Sequence, residues 1–178
     1  MNKTFALWAP STIICSLLLS AQVFAQGNPK LTDPEVASVA VVANQIDISY
    51  AEIAAKKSKN AEVLKFAETM ARDHKAIIAK AVALVTKLGV TPKDNSVSRQ
   101  LLSDAAKTKK TLNGKSGEAF NKAYIDNEVA YHKAVIGAVE GLLIPEAENA
   151  ELKKLLQDVV PALKAHLEHA EMVQKNFK

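Results

Sequence analysis

The chain has 178 residues, 48% of them hydrophobic, with 23 basic and 19 acidic side chains interspersed along it. Aromatics make up 5% and the only arginines are Arg72 and Arg99, which excludes the clustered basic face with stacking rings used by nucleic-acid readers. The length suits one domain with a substantial core.

The first residues read as a secretory signal: Lys3, an apolar run from Phe5 to Leu19, then AQVFA before Gln26. Val23 and Ala25 fit the small-residue rule, so cleavage is expected after Ala25. The run is short and interrupted by Pro10, Ser11 and Thr12, which argues against a membrane anchor and leaves the mature chain with no transmembrane segment. Cys15, the one cysteine, falls inside this signal, so the mature chain has no disulfide and no thiol chemistry. The expected address is the periplasm, free or peripheral to an outer membrane. Without Lys3 the mature chain keeps 22 basic and 19 acidic residues, an ordinary solvated surface rather than an electrostatic footprint.

Residues 26–33 form a polar leader, expected to be mobile, and the folded domain is expected over 34–178. Asp33-Pro34-Glu35 opens a first helix, with Asp33 as cap, Pro34 at the first helical position and Glu35 at the positive end of the dipole. Val36, Val39, Ala43, Ile46, Tyr50 and Ile53 form its apolar stripe. A turn at Ser58–Asn60 leads into a second helix over Ala61–Leu88, ended by Gly89 and Pro92. Its stripe, Val63, Ala67, Met70, His74, Ile77, Ala81, Leu84 and Leu88, is apolar except for His74.

The connection from Val90 to Gly117 contains a short helix, Ser96–Lys110, with Leu101, Leu102, Ala105 and Ala106 as its apolar side. A hairpin needs no such length. The second helix spans roughly 40 Å at the α-helical rise, and this connection can retrace it. The third long helix runs from Gly117 to Leu143 and stops at Pro145. The fourth runs from Ala147 to Asn176 with Leu152, Leu156, Val159, Leu163, His166, Ala170 and Val173 inward, and Pro161 removes one of its backbone hydrogen bonds. The expected fold is all-α: a ferritin-like four-helix bundle whose long crossover between helices two and three contains an extra helix.

Three histidines, His74, His132 and His166, lie on the inward stripes of three helices, and His169 is peripheral. Glu128 is four residues before His132 on the same face. Asp73 precedes His74, and Asp47 lies at the depth of His74 on the first helix. Measured from Pro145, His166 matches Glu128 in depth better than His132. Imidazoles with carboxylates in a bundle core are a ligand set for zinc, iron, copper or manganese. The competing reading makes each histidine a core residue hydrogen-bonded to Tyr50, Tyr124, Tyr131 or a carboxylate. Ala71, Val129, Leu163 and His166 stand three residues before the four histidines, so the Glu-x-x-His of carboxylate-bridged di-iron bundles is absent. No phosphate loop, Gly-x-Ser-x-Gly elbow or His-Glu-x-x-His signature occurs either, and the reading leans away from an enzyme.

Met70-Ala71-Arg72-Asp73-His74, Phe120-Asn121-Lys122-Ala123-Tyr124 with His132 eight residues on, and Pro161-Ala162-Leu163-Lys164-Ala165-His166-Leu167 resemble the bacterial family called domain of unknown function 4142. The resemblance runs from about Pro34 to Val173. It implies an exported four-helix bundle grouped with ferritin-like proteins, often labelled as an outer-membrane protein, and puts His74, His132 and His166 at recurring histidine positions. A helical domain of this kind cannot span an outer membrane as a barrel. Asn121 stands where the family is expected to carry an Asp. The functional expectation is an exported bundle binding a transition metal through His74, His132 and His166 with Glu128, Asp73 or Asp47. The alternative is a non-enzymatic envelope or stress-related protein that meets a partner through its surface.

Overall fold

In the computed structural model, residues 29–177 are described, so the expected signal peptide and the start of the leader lie outside them. Helix α1 spans Asp33–Lys57, α2 Ala61–Lys87, α3 Ser96–Asn113 and α4 Gly117–Ala138. After α4 a π-helical turn, Val139–Leu143, and a last α-turn, Ile144–Glu146, precede α5 at Ala150–Gln174, which closes in a 3₁₀ turn at Lys175–Phe177.

The head of α1 differs from expectation. Thr32, not Asp33, is the N-cap, and the Glu35 carboxylate accepts both its backbone N–H (3.0 Å) and its hydroxyl (2.8 Å). Asp33 instead accepts the N–H groups of Glu148 (2.9 Å) and Asn149 (3.0 Å), tying α1 to the loop before α5. The end of the leader is anchored, not mobile. Leu31 is buried, and its N–H donates to Glu146 Oε2 at 3.1 Å.

Chain direction follows from the bonds at the two ends. Asn60 caps α2 with its side-chain oxygen on the N–H groups of Glu62 and Val63. Gly89, at φ 64°, lets the chain leave α2 in the left-handed region. The chain is then back at the head of α1, where the Lys93 N–H reaches the Pro34 carbonyl and Asn95 Nδ2 reaches that of Glu35. At the far end of α3, Lys57 Nζ donates to the Asn113 carbonyl, so α3 retraces the whole of α1. Helix α4 starts beside the α1–α2 turn, where Ser58 Oγ donates to Asn121 Oδ1 (2.7 Å). Helix α5 returns to the start of α2, where Asn176 Nδ2 donates to Glu62 Oε2 (2.7 Å).

The order is therefore up, down, crossover, down, up: the ferritin-like arrangement, with α3 as the crossover. Helix α3 is longer than expected and rotated. Ser98, Ala105 and Leu112 are buried and Leu101 half-buried, whereas Leu102 is 49% exposed and Ala106 faces out. Adjacent residues lie about 100° apart on a helix, and α3 turns Leu101 rather than Leu102 towards the bundle, with Leu112 extending the stripe that Leu101 and Ala105 begin.

Pro145 does not stop the third long helix of the bundle. It sits inside the last turn, after a widened turn in which the Ile144 N–H reaches the Val139 carbonyl. Helix α5 correspondingly starts at Ala150 rather than Ala147, capped by Asn149 on Glu151 and Leu152. Two apolar clusters divide the bundle. One, with Ile46, Tyr50, Phe66, Met70, Phe120 and Tyr124, lies towards the α1–α2 turn; the other, with Val36, Val39, Ile136, Leu142, Leu152 and Leu163, lies towards the opposite end. The buried ionisable residues Asp47, His74, Glu128, His132 and His166 lie where the two clusters meet. No helix among the described residues is long and apolar enough to cross a membrane.

Candidate metal centre

Helices α2, α4 and α5 each place one histidine in this middle layer, and all three are buried. The ring centroids of His74 and His132 are 5.7 Å apart, those of His74 and His166 5.2 Å, and those of His132 and His166 5.6 Å. One ligand atom from each lies within 4.8 Å of the other two. His166 thus meets His132, not Glu128 as depth measured from Pro145 implied. The helix runs through that proline to Glu146, and Asn149, midway in sequence between His132 and His166, is the true pivot of the hairpin.

Each ring is held from behind. His74 Nδ1 lies 2.7 Å from Asn44 Oδ1. The Asn44 amide is oriented by its own Nδ2, which donates to the Ala40 carbonyl at 2.8 Å, so Asn44 offers an acceptor and His74 Nδ1 carries the proton. His132 Nδ1 donates to the Glu128 backbone carbonyl at 2.9 Å. His166 Nε2 donates to Asp73 Oδ2 at 3.1 Å. Three different partners thereby fix three tautomers and leave His74 Nε2, His132 Nε2 and His166 Nδ1 with free lone pairs. All three of these nitrogens are buried without a hydrogen-bond partner. Tyr131, one of the expected partners, donates instead to the Ala43 carbonyl.

Two carboxylates share the layer. Asp47 and Glu128 are both 0% exposed, and all four of their oxygens lack a hydrogen-bond partner. Asp47 Oδ2 stands 3.5 Å from His74 Nε2 and 3.7 Å from His132 Nε2. Donors bound to one tetrahedral ion through bonds of ~2.0–2.1 Å lie about 3.4 Å apart, so Asp47 has that spacing to two of the three histidines. Glu128 Oε2 is 3.7 Å from the protonated nitrogen of His132, and Asp47, Glu128 and His132 form a second group in which one ligand atom of each lies within 4.8 Å of the other two. Asp73 has its side chain 33% exposed, between His166 and Arg72; it orients a ring and adds nothing to the convergent set. His169 stacks edge-on against Phe66, at 5.0 Å, outside the layer. Asn121 is buried between Ser58 and Glu118 at the bundle end, away from the histidines.

The electrostatics follow from burial. Desolvation, helped by the neighbouring imidazoles, pushes His74 down to about 3, and desolvation pushes His132 down to about 4. His166 is also lowered by burial, against the opposing pull of Asp73. Asp47 is pushed up to about 7, and Glu128 well above its ordinary value, each mainly by desolvation. Asp73 is held low, first by Arg72. At neutral pH the layer therefore presents neutral imidazoles, the protonation state a metal ligand requires, beside two carboxylates that disfavour a second negative charge.

Asn44 is the member that sequence reading missed. Its signal is its place one turn before Asp47 on the same helix face, which aims an amide at whatever stands opposite Asp47. The three-histidine set fits zinc or copper better than a bridged di-iron pair, because imidazole outnumbers carboxylate among the convergent atoms.

No curated protein matches this chain. Among solved structures, CopM in the Cu(II)-bound form is similar, with a TM-score of 0.62 and 19% identity over 83% of this chain and 100% of that one; at that identity the likeness bears on the fold. Residues 19–173 match the family model described as Domain of unknown function (DUF4142), well over half of the sequence, and the chain belongs to that family.

Proposed function

We propose that the protein binds one transition-metal ion through His74 Nε2, His132 Nε2 and His166 Nδ1, with Asp47 as the fourth protein donor. One observation carries this reading: three buried imidazole lone pairs, each left free by a hydrogen bond on the opposite nitrogen, converge without a partner. Fixing the tautomer through the second ring nitrogen is how proteins orient metal-binding histidines. Core histidines that serve packing alone satisfy both nitrogens; these do not. Copper is the favoured ion, because a bundle of the same fold is known in a Cu(II)-bound form, and zinc is the nearest competitor by ligand chemistry.

Bound copper would supply one-electron exchange and Lewis acidity. The chain's own residues do the holding. Asn44, the Glu128 carbonyl and Asp73 orient the rings, while the apolar clusters on either side keep water from the layer. A set closed by four protein donors suits storage, transfer or sensing better than turnover. With the expected signal sequence, the place of action is the periplasm, as a freely diffusing or peripheral envelope component.

Elemental analysis of protein purified without chelator, and calorimetric titration with Cu(II) and Zn(II), test this directly. One equivalent of metal in the wild type and none in His74→Ala/His166→Ala, with helicity retained, is the expected result. A wild type that retains no metal, even after loading with copper, zinc and iron, overturns the reading and moves the function to the outer surface.

A further inference from the structure

We propose that the end of the bundle carrying the α1–α2 turn docks electrostatically on an anionic phospholipid surface. The inference stands apart from the metal reading and needs no bound ion. The near balance of 23 basic and 19 acidic residues in the whole chain conceals an uneven distribution. Helices α1, α3 and α5 end at this face, and α2 and α4 begin there. Their ends and the two turns between them bring Lys56, Lys59, Lys109, Lys110, Lys115 and Lys175 to it. None of these lysines makes an ion pair among the described residues.

Acids near the same face are already engaged. Glu62 accepts from Asn176, Glu118 from Asn121, and Asp126 from Lys122 and Gln174. At the opposite end the basic side chains are largely paired: Lys87 with Glu151, Lys93 with Glu35, Arg99 with Asp94 and Lys154 with Asp158.

Helix stability explains only part of this. Lys56, Lys110 and Lys175 lie at helix C-termini, where positive charge suits the dipole. Lys59 and Lys115 instead stand one residue before Asn60 and Ser116, the N-caps of α2 and α4, where the dipole disfavours positive charge. Charges set against their local field and left unpaired point to an anion outside the molecule.

The side chains select the kind of anion. Lysine is a hydrated point charge, whereas arginine grips a single phosphate in bidentate fashion, and Arg72 and Arg99 both lie away from this face. Phe66, Phe120 and Tyr124 are fully buried beneath it, and Phe177 packs against their cluster, which leaves no ring to stack on a base. Lysines spread over a whole end face, rather than along a groove, match a plane of headgroups.

The test sediments the purified protein with vesicles of equal parts phosphatidylglycerol and phosphatidylcholine, and with phosphatidylcholine vesicles, at low and high salt. Binding is expected only to the first, with release at high salt. Lys59→Gln/Lys110→Gln/Lys115→Gln should weaken partition about 100-fold, roughly fivefold per lysine, with helicity unchanged. Lys75→Gln/Lys80→Gln/Lys153→Gln removes the same charge from unpaired lysines elsewhere and should weaken it by less than about fivefold. Equal losses in the two variants, or equal binding to both vesicles, overturn end-on docking. A wild type that stays off the phosphatidylglycerol vesicles also overturns it, whether or not soluble polyphosphate binds instead, and the metal reading is then untouched.

Discussion

Asn44 holds no metal in the reading above, yet it decides which nitrogen of His74 is free. Its Oδ1 accepts from His74 Nδ1 at 2.7 Å while its Nδ2 is tied to Ala40. Asn44→Ala removes that acceptor, so the ring can rotate or change tautomer, and metal affinity should fall about 10–100-fold. The same titration used for the histidine variants checks this, and an unchanged affinity would mean that the ring is fixed by packing instead. Acid should act on the apoprotein through two opposed sets of groups. His74, pushed down to about 3, and His132, at about 4, stay neutral in the fold where the unfolded chain takes up protons near 6.5, so each loses stability as pH falls through that interval. His166 is lowered and has the same sign. Asp47, raised to about 7, and Glu128, raised well above its ordinary value, bind protons in the fold that the unfolded chain releases above about 4, so they gain stability as pH falls. The wild type should therefore lose only modestly between pH 7 and 4.5. Asp47→Asn/Glu128→Gln, stripped of the opposing groups, should lose distinctly more, as read from urea midpoints at the two pH values.

The crossover helix shows how far a helix face can be read and where reading stops. Its existence and connectivity were legible: the segment is too long for a hairpin, and Gly89 and Pro92 end the helix before it. Its orientation was not, because Leu101 and Leu102 are adjacent and either could point in. Leu112, beyond the expected end, decides the matter by continuing the stripe through Ala105. Leu112→Ala should therefore cost about 2–5 kcal/mol, whereas Leu102→Ala, at a half-exposed position, should stay within about 0.5 kcal/mol. Chemical denaturation distinguishes the two, and similar costs would contradict the observed face. The α4–α5 hairpin gives the same lesson at the site. All three histidines were visible on their stripes, but their register depended on where α4 ends. A proline is an ordinary stop signal, and here the helix runs through Pro145 to Glu146, three residues beyond its expected end at Leu143. The pivot of the hairpin thereby moves to Asn149, which brings His166 to His132 rather than to Glu128. Asp73 was misplaced for a related reason: as the neighbour of His74 it must point to another face of α2, where it meets His166 from outside.

At the scale of the whole bundle, the polar layer is a liability that a bound ion can convert into stability. Three imidazole nitrogens, four carboxylate oxygens and the Tyr124 hydroxyl are buried without hydrogen-bond partners, and each such group opposes folding. Two apolar clusters, one at either end, must hold the layer closed. Metal that binds only the folded form adds RT ln(1 + [L]/Kd), about 2.7 kcal/mol at a hundredfold excess over Kd. In a domain of this size that corresponds to a rise in Tm of roughly 5–10 °C. The wild type should show this rise with Cu(II) or Zn(II), increasing with the logarithm of free metal. His74→Ala/His166→Ala should melt at one temperature whatever the metal concentration, because its linkage term is gone. Its apo Tm need not fall as far as two buried truncations ordinarily imply, since each also removes an unsatisfied nitrogen. Calorimetry across a metal series reads both quantities. A metal-independent Tm in the wild type would show that the layer is held by packing alone, and that its unpartnered groups are tolerated rather than used.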